Sequence, residues 1–112
     1  MDIGSRAAHS CDKVHNCLYI FGGWNGKNAL NDLYILDLDR LIWYKKILKS
    51  NLFFRSEPET FGPIPACRNN HTTAVYGDKI YFHGGHDGNQ WLDDLYVLNT
   101  SSLVWSKPKV SG

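Results

Sequence analysis

The apolar residues of this chain fall in short runs broken by glycine or by polar pairs, without the spacing of an amphipathic helix. Leu18-Tyr-Ile-Phe and Ile80-Tyr-Phe-His each run into a double glycine, Gly22-Gly23 and Gly84-Gly85. Each reads as a strand stopped by residues with no Cβ, suited to a turn or to close approach by a neighbouring backbone. Leu33-Tyr-Ile-Leu-Asp-Leu and Leu95-Tyr-Val-Leu-Asn read as second strands, and after polar turns third strands begin near Trp43 and Trp105. His9 to Val14 and His71 to Tyr76 supply a fourth strand upstream of each set, with Gly77-Asp78 marking the hairpin after the latter. The predicted strands are 9–14, 17–22, 32–37 and 42–48, then 72–76, 79–84, 94–99 and 103–107. Both faces of these strands are apolar. Tyr19 and Phe21 point opposite to Leu18 and Ile20, and Tyr34 and Leu36 opposite to Leu33 and Ile35. A sheet half open to water alternates apolar with polar, so these sheets are expected to be covered on both sides.

The two sets are copies. Tyr19, Gly22, Gly23, Gly26, Leu30, Asp32, Leu33, Tyr34, Leu36, Leu41 and Trp43 all recur 62 positions later, with no insertion or deletion between Leu18–Trp43 and Ile80–Trp105. Upstream, Arg6 and His9 recur as Arg68 and His71. Small four-stranded sheets stacked face to face at such a period describe a β-propeller. The pattern Arg-x-x-His, strand, Gly-Gly, Gly-x-x-x-Leu-x-Asp-Leu-Tyr-x-Leu, then Trp resembles the kelch repeat over nearly the whole chain. Leu30-Asn-Asp-Leu-Tyr, together with Gly62, Pro65 and Arg68, is similar to the stand-alone and multidomain kelch proteins of the host-cell-factor, Rab-effector and leucine-zipper-like-regulator types. The resemblance implies an all-β chain, a kelch β-propeller fragment of two four-stranded antiparallel blades. Blade 1 spans 1–49, an inter-blade loop 50–66, and blade 2 67–112.

Charge narrows the partners. A net charge of +1 gives no electrostatic case for nucleic acid or an anionic membrane. No apolar run approaches the roughly 18 residues of a membrane span. The N-terminus lacks the basic and apolar regions of a secretory signal. Cys11, Cys17 and Cys67 are odd in number and unmatched in spacing, which suits reduced thiols in a cytoplasmic protein. A Cys11–Cys17 bridge across a hairpin is the minority alternative.

Residues with chemical potential divide by whether they repeat. Arg6, His9, Arg68 and His71 occur in both copies, whereas an active site is assembled once, so they are expected to satisfy backbone and carboxylate groups, with Asp32 and Asp94 as partners. His83 and His86, with Asp87, do not repeat; they suggest a metal site but lack a third specified ligand, so a satisfied His83 and an exposed His86 are expected. No metal or other cofactor is therefore expected. The segment 44–66 carries Phe53, Phe54 and Phe61, which either pin the loop to a blade or face a partner.

Two blades do not close a propeller, and the outer faces are expected to carry the same apolar content as the shared one. The remaining blades come from a longer polypeptide or from other copies of the chain, or else the pair is marginally stable and not a well-behaved monomer. The antiparallel meander puts the inter-blade loop and the loops after the double glycines on one rim. A fixed scaffold with variable loops suits recognition, and kelch propellers mostly bind protein segments. The expected function is thus protein–protein interaction, through Trp24, Asn25, Lys27, His86, Asp87, Gln90 and Trp91 with help from the 50–61 loop. The alternative is a propeller attached to, or forming, an enzyme of phosphatase-linked, oxidase or sugar-processing type. No copper-ligand constellation, nucleophile elbow, phosphate loop or paired-acid arrangement is readable, so no catalysis within this chain is expected.

Overall fold

The computed structural model describes residues 4–46 and 60–110. Its strands are β1 (Ser10–Val14), β2 (Cys17–Trp24), β3 (Ala29–Asp37), β4 (Ile42–Lys46), β5 (Thr72–Tyr76), β6 (Lys79–His86), β7 (Trp91–Asn99) and β8 (Val104–Ser106). They form two four-stranded antiparallel sheets in simple meander order, β1-β2-β3-β4 and β5-β6-β7-β8. Predicted positions 47–48 of the fourth strand lie outside the described residues.

One expectation fails instructively. The double glycine does not stop its strand: β2 runs on to Trp24 and β6 to His86. The ladder skips at Gly22 and at Gly84, then resumes with Gly23 opposite Leu30 and Gly85 opposite Leu92. At this irregularity the backbone takes positive φ, and Gly22 and Gly84 sit there at 68° and 67°. The bulge also makes room. A Cβ on Gly22 would stand 2.7 Å from the Arg68 carbonyl oxygen.

The core lies between the blades. Tyr19, Phe21, Leu33 and Ile35 of blade 1 face Ile80, Phe82, Tyr96, Leu98 and Trp105 of blade 2. Phe21 meets Phe82 at 5.2 Å edge-on and Trp105 at 5.4 Å, within the range in which tilted rings attract. Beside them, among the described residues, two side-chain polar bonds cross the seam. His71 Nε2 lies 2.8 Å from Ser10 Oγ, and Thr73 Oγ1 donates to Asp12 Oδ1 at 2.9 Å.

The recurrent residues are not equally buried. Trp105 is 1% exposed, whereas Trp43 is only half-buried, its one described ring contact being Tyr34 at 6.4 Å. Recurrence at one position of the repeat leads to the expectation that both tryptophans pack beneath the outer strand, and it holds in full only for Trp105. Trp43 points away from blade 2, toward a side where the described residues place no further sheet. The outer faces also differ. On blade 1 this side carries Leu18, Ile20, Tyr34, Leu36 and Trp43, as apolar as the seam, with Ile20 and Tyr34 buried and the other three half-buried. Blade 2 instead has Lys79, His83 and Ser106 where the seam face of blade 1 has Cys17, Phe21 and Tyr44, so its outer face is more polar than expected.

Candidate functional site

The repeated arginines hold the blades. Arg68 is fully buried; its guanidinium donates to both carboxylate oxygens of Asp94, at 2.6 and 2.9 Å, and to the Gly84 carbonyl at 3.0 Å. Arg6 repeats the arrangement with Asp32 and Gly22 O. Asp94 is held below the usual carboxylate range, chiefly by its hydrogen bond from Arg68. His71 lies in the seam with its pKa pushed down to about 4, by burial first and then by the Arg68 and His9 charges. His9, its counterpart, is exposed and, among the described residues, bonds no carboxylate or carbonyl, unlike the expectation.

The β2–β3 and β6–β7 hairpins stand together on one rim, and the structure brings the candidate residues there. Trp24 reaches the other hairpin: a Cβ on Gly88 would lie 3.9 Å from its ring. Asn25 Oδ1 accepts from the Lys27 and Asn28 N–H groups at 2.9 and 2.8 Å, and Asp87 Oδ1 accepts from Asn89 and Gln90 N–H at 2.8 Å each. The Gln90 and Asn89 N–H groups keep the Asp87 carboxyl below its ordinary range. His86 Nδ1 accepts from Gly88 N–H at 3.0 Å, and its ring meets Trp91 edge-on at 4.9 Å.

Asn25, His86 and Asp87, expected as partner contacts, therefore shape their own turns. Lys27 and Gln90 remain exposed, Trp24 is 37% exposed and Trp91 74%. The exposures expected of the two histidines are reversed. His83 takes the Phe21 position on the outer face of blade 2 and is exposed; His86 is half-buried beside Trp91. Among the described residues no group of three or more His, Cys, Asp or Glu is placed to hold a metal.

Phe61 is not on this rim. Its N–H donates to Leu103 O and its carbonyl accepts from Trp105 N–H, pairing it in parallel with β8 near the β7–β8 turn, at the opposite end of the blade. Its main chain is pinned while its ring is 59% exposed. Residues 50–59 of the expected loop contribution, with Phe53 and Phe54, lie outside the described residues. Conversely, the sequence reading missed Asn70, an exposed residue at φ 57° beside the hairpins, whose N–H bonds Ala8 O across the blades. An asparagine next to a recurrent strand start, a residue type that tolerates positive φ, is the signal that could have found it. The three cysteines are free, and Cys11 and Cys17 lie on opposite faces of their sheet, which rules out a bridge between them.

Repeat, bulge and Arg–Asp clasp meet in one comparison: the model of the KLHDC2/KLHL20/DRC7 Kelch-repeats domain matches residues 2–112. The chain belongs to the kelch-repeat family. This kelch pair is 34% identical over 110 residues to acyl-CoA-binding domain-containing protein 4 of Arabidopsis thaliana. It is 32% identical over 115 residues to Rho GTPase-activating protein gacHH of Dictyostelium discoideum, and 34% over 122 residues to host cell factor 1 of Homo sapiens. Each match takes in 96% of this chain but only 15%, 7% and 6% of those proteins, so the kelch pair spans a small part of the relatives it resembles.

Proposed function

We propose that this kelch pair is a protein-binding module that works within a larger propeller, its partner resting on the hairpin rim. The observation that carries the reading is Trp91, 74% exposed on a half-buried His86, in a hairpin whose turn is already fixed by Asp87. An exposed aromatic on a preorganised loop is the kind of anchor that dominates protein interfaces, because little ordering is left for binding to impose. Trp24 and Lys27 on the neighbouring hairpin extend the surface. The pair carries no reaction of its own in this reading and works in the reducing cytoplasm, where three free thiols persist. A second reading attaches the pair to an enzyme encoded elsewhere on a longer polypeptide. It is favoured by relatives named as a Rho GTPase-activating protein and a probable serine/threonine-protein kinase.

Peptides selected against the chain from a displayed random library provide the test. Trp91→Ala is expected to weaken the selected peptides at least tenfold, about 1.4 kcal/mol, with melting temperature unchanged. Unchanged affinity removes the rim from the reading.

A further inference from the structure

The two rim hairpins share a turn but not the residue that opens it. Asn25 in the first and Asp87 in the second each place Oδ1 on the N–H groups two and three residues ahead, at 2.8 or 2.9 Å. A glycine at positive φ follows each, Gly26 at 98° and Gly88 at 97°. We infer that Asn25 is a self-modifying site, where the Gly26 nitrogen attacks the Asn25 side-chain amide and leaves a carboxylate in its place.

The parts of the reaction surround Asn25. The N–H groups of Lys27 and Asn28, 2.9 and 2.8 Å from Oδ1, stand where negative charge collects on that oxygen as Cγ becomes tetrahedral. The Gly26 N–H makes no hydrogen bond among the described residues, so the nucleophile is not held elsewhere. A Cβ built on Gly26 meets nothing within 4 Å, so its surroundings leave the approach open. Asn25 is exposed, and the ammonia it loses passes straight to water. In the first step the Gly26 nitrogen bonds to Cγ and gives up its proton. The Cγ–Nδ2 bond breaks, and Nδ2 takes a proton and leaves as ammonia. Water then opens the cyclic imide, at Cγ to give aspartate or at the main-chain carbonyl to give isoaspartate. The sum is amide plus water to carboxylate plus ammonia, with no oxidation or reduction.

Asn99 shows what holds the reaction back. Its Oδ1 accepts from a similar pair of N–H groups, Ser101 and Ser102 at 3.0 and 3.2 Å. The nitrogen that follows it, however, belongs to a β-branched residue, Thr100, and its N–H is bonded to Asp78 O at 2.9 Å. A held and crowded nucleophile leaves that amide intact. The product at position 25 already has its pattern in the second hairpin. Asp87 makes the same turn, and the N–H groups that keep its carboxyl below the ordinary range favour the charged form there. The new charge arrives in the loop between Trp24 and Lys27. On the binding reading above it alters the surface a partner meets, although the chemistry does not depend on that reading.

Ageing the 112-residue chain at mildly alkaline pH, with fragment mass spectra of its tryptic peptides, tests this. Conversion of amide to carboxylate is expected at Asn25, and about tenfold more slowly at Asn99. Gly26→Ala, which crowds the nucleophile, is expected to slow Asn25 by about tenfold. Where that variant loses its β-sheet circular dichroism, the comparison with Asn99 in the wild type carries the test. An Asn25 that stays an amide in the folded chain but converts in urea shows a turn that protects it, and overturns the inference. So do equal rates at Asn25 and Asn99. Peptide binding at the rim is measured apart from the mass change, so either result stands when the other fails.

Discussion

Trp105 and Trp43 hold one position of the repeat and have different surroundings. The first is enclosed by Phe21 and Phe82, the second has Tyr34 beside it and more water. The same holds for His71, which reaches Ser10 in the seam, and for His9, which is exposed. Arg68 and Arg6, by contrast, make nearly the same clasp, because Asp94 and Asp32 come from the arginine's own blade. The comparison separates two kinds of repeated residue. Those whose partners lie within the blade behave alike wherever the blade stands; those whose partners lie on the next blade take their burial from the neighbour.

The largest effect that tests this separation is at the tryptophans. Trp105→Ala is expected to cost about 3–5 kcal/mol and Trp43→Ala roughly 1–2 kcal/mol, both read from urea midpoints. Equal losses would mean that the neighbouring blade does not set burial. Next come the glycines. Gly85 sits at φ 99°, and a Cβ there would meet the Asn69 carbonyl oxygen at 2.7 Å; Gly88, at φ 97°, has nothing nearer than 3.9 Å. Gly85→Ala should therefore lose about 2–3 kcal/mol and Gly88→Ala about 1 kcal/mol, because only the first adds a clash to the strain. Identical melting curves for the two would assign the cost to φ alone.

The smallest expected effect is pH-dependent. His71 binds its proton less readily folded, near pH 4, than unfolded, near 6.5. Its contribution is full above about pH 6.5 and falls as pH drops toward 4, because the unfolded chain gains the proton first. The ring retains some access to water, so the loss is on the order of 2 kcal/mol. His71→Asn should flatten the fall in a series of melts between those limits. A fall of the same size in the variant would put the titrating group elsewhere.

Strand composition and the period made the two sheets legible, but not which face of each meets the other, since both faces read as apolar. The bulge was not, because Gly-Gly reads equally as an end of pairing or as a skipped rung, and only the partner strand decides. The rim was half legible: the hairpins were placed, but Asn25 and Asp87 looked free because a side-chain oxygen that bonds its own backbone leaves no mark in the spacing. Phe61 was put on the wrong rim for a similar reason, since a loop's direction depends on the edge it pairs with. Trp43 misled because identity of position does not convey what stands opposite.

The skipped rung at Gly22 has a consequence for how the molecule comes apart. Arg68 fills that gap with its main chain, its N–H bonding Leu30 O and its carbonyl accepting from Gly23 N–H, while its side chain clasps Asp94. One residue thus completes the backbone of blade 1 and the interior of blade 2. Unfolding of either blade strips the other of bonds it cannot replace internally, so the amides of Gly23 and Arg68 belong to one cooperative unit rather than to two. At Arg68 the mechanical boundary between the repeats runs through an amino acid that both share.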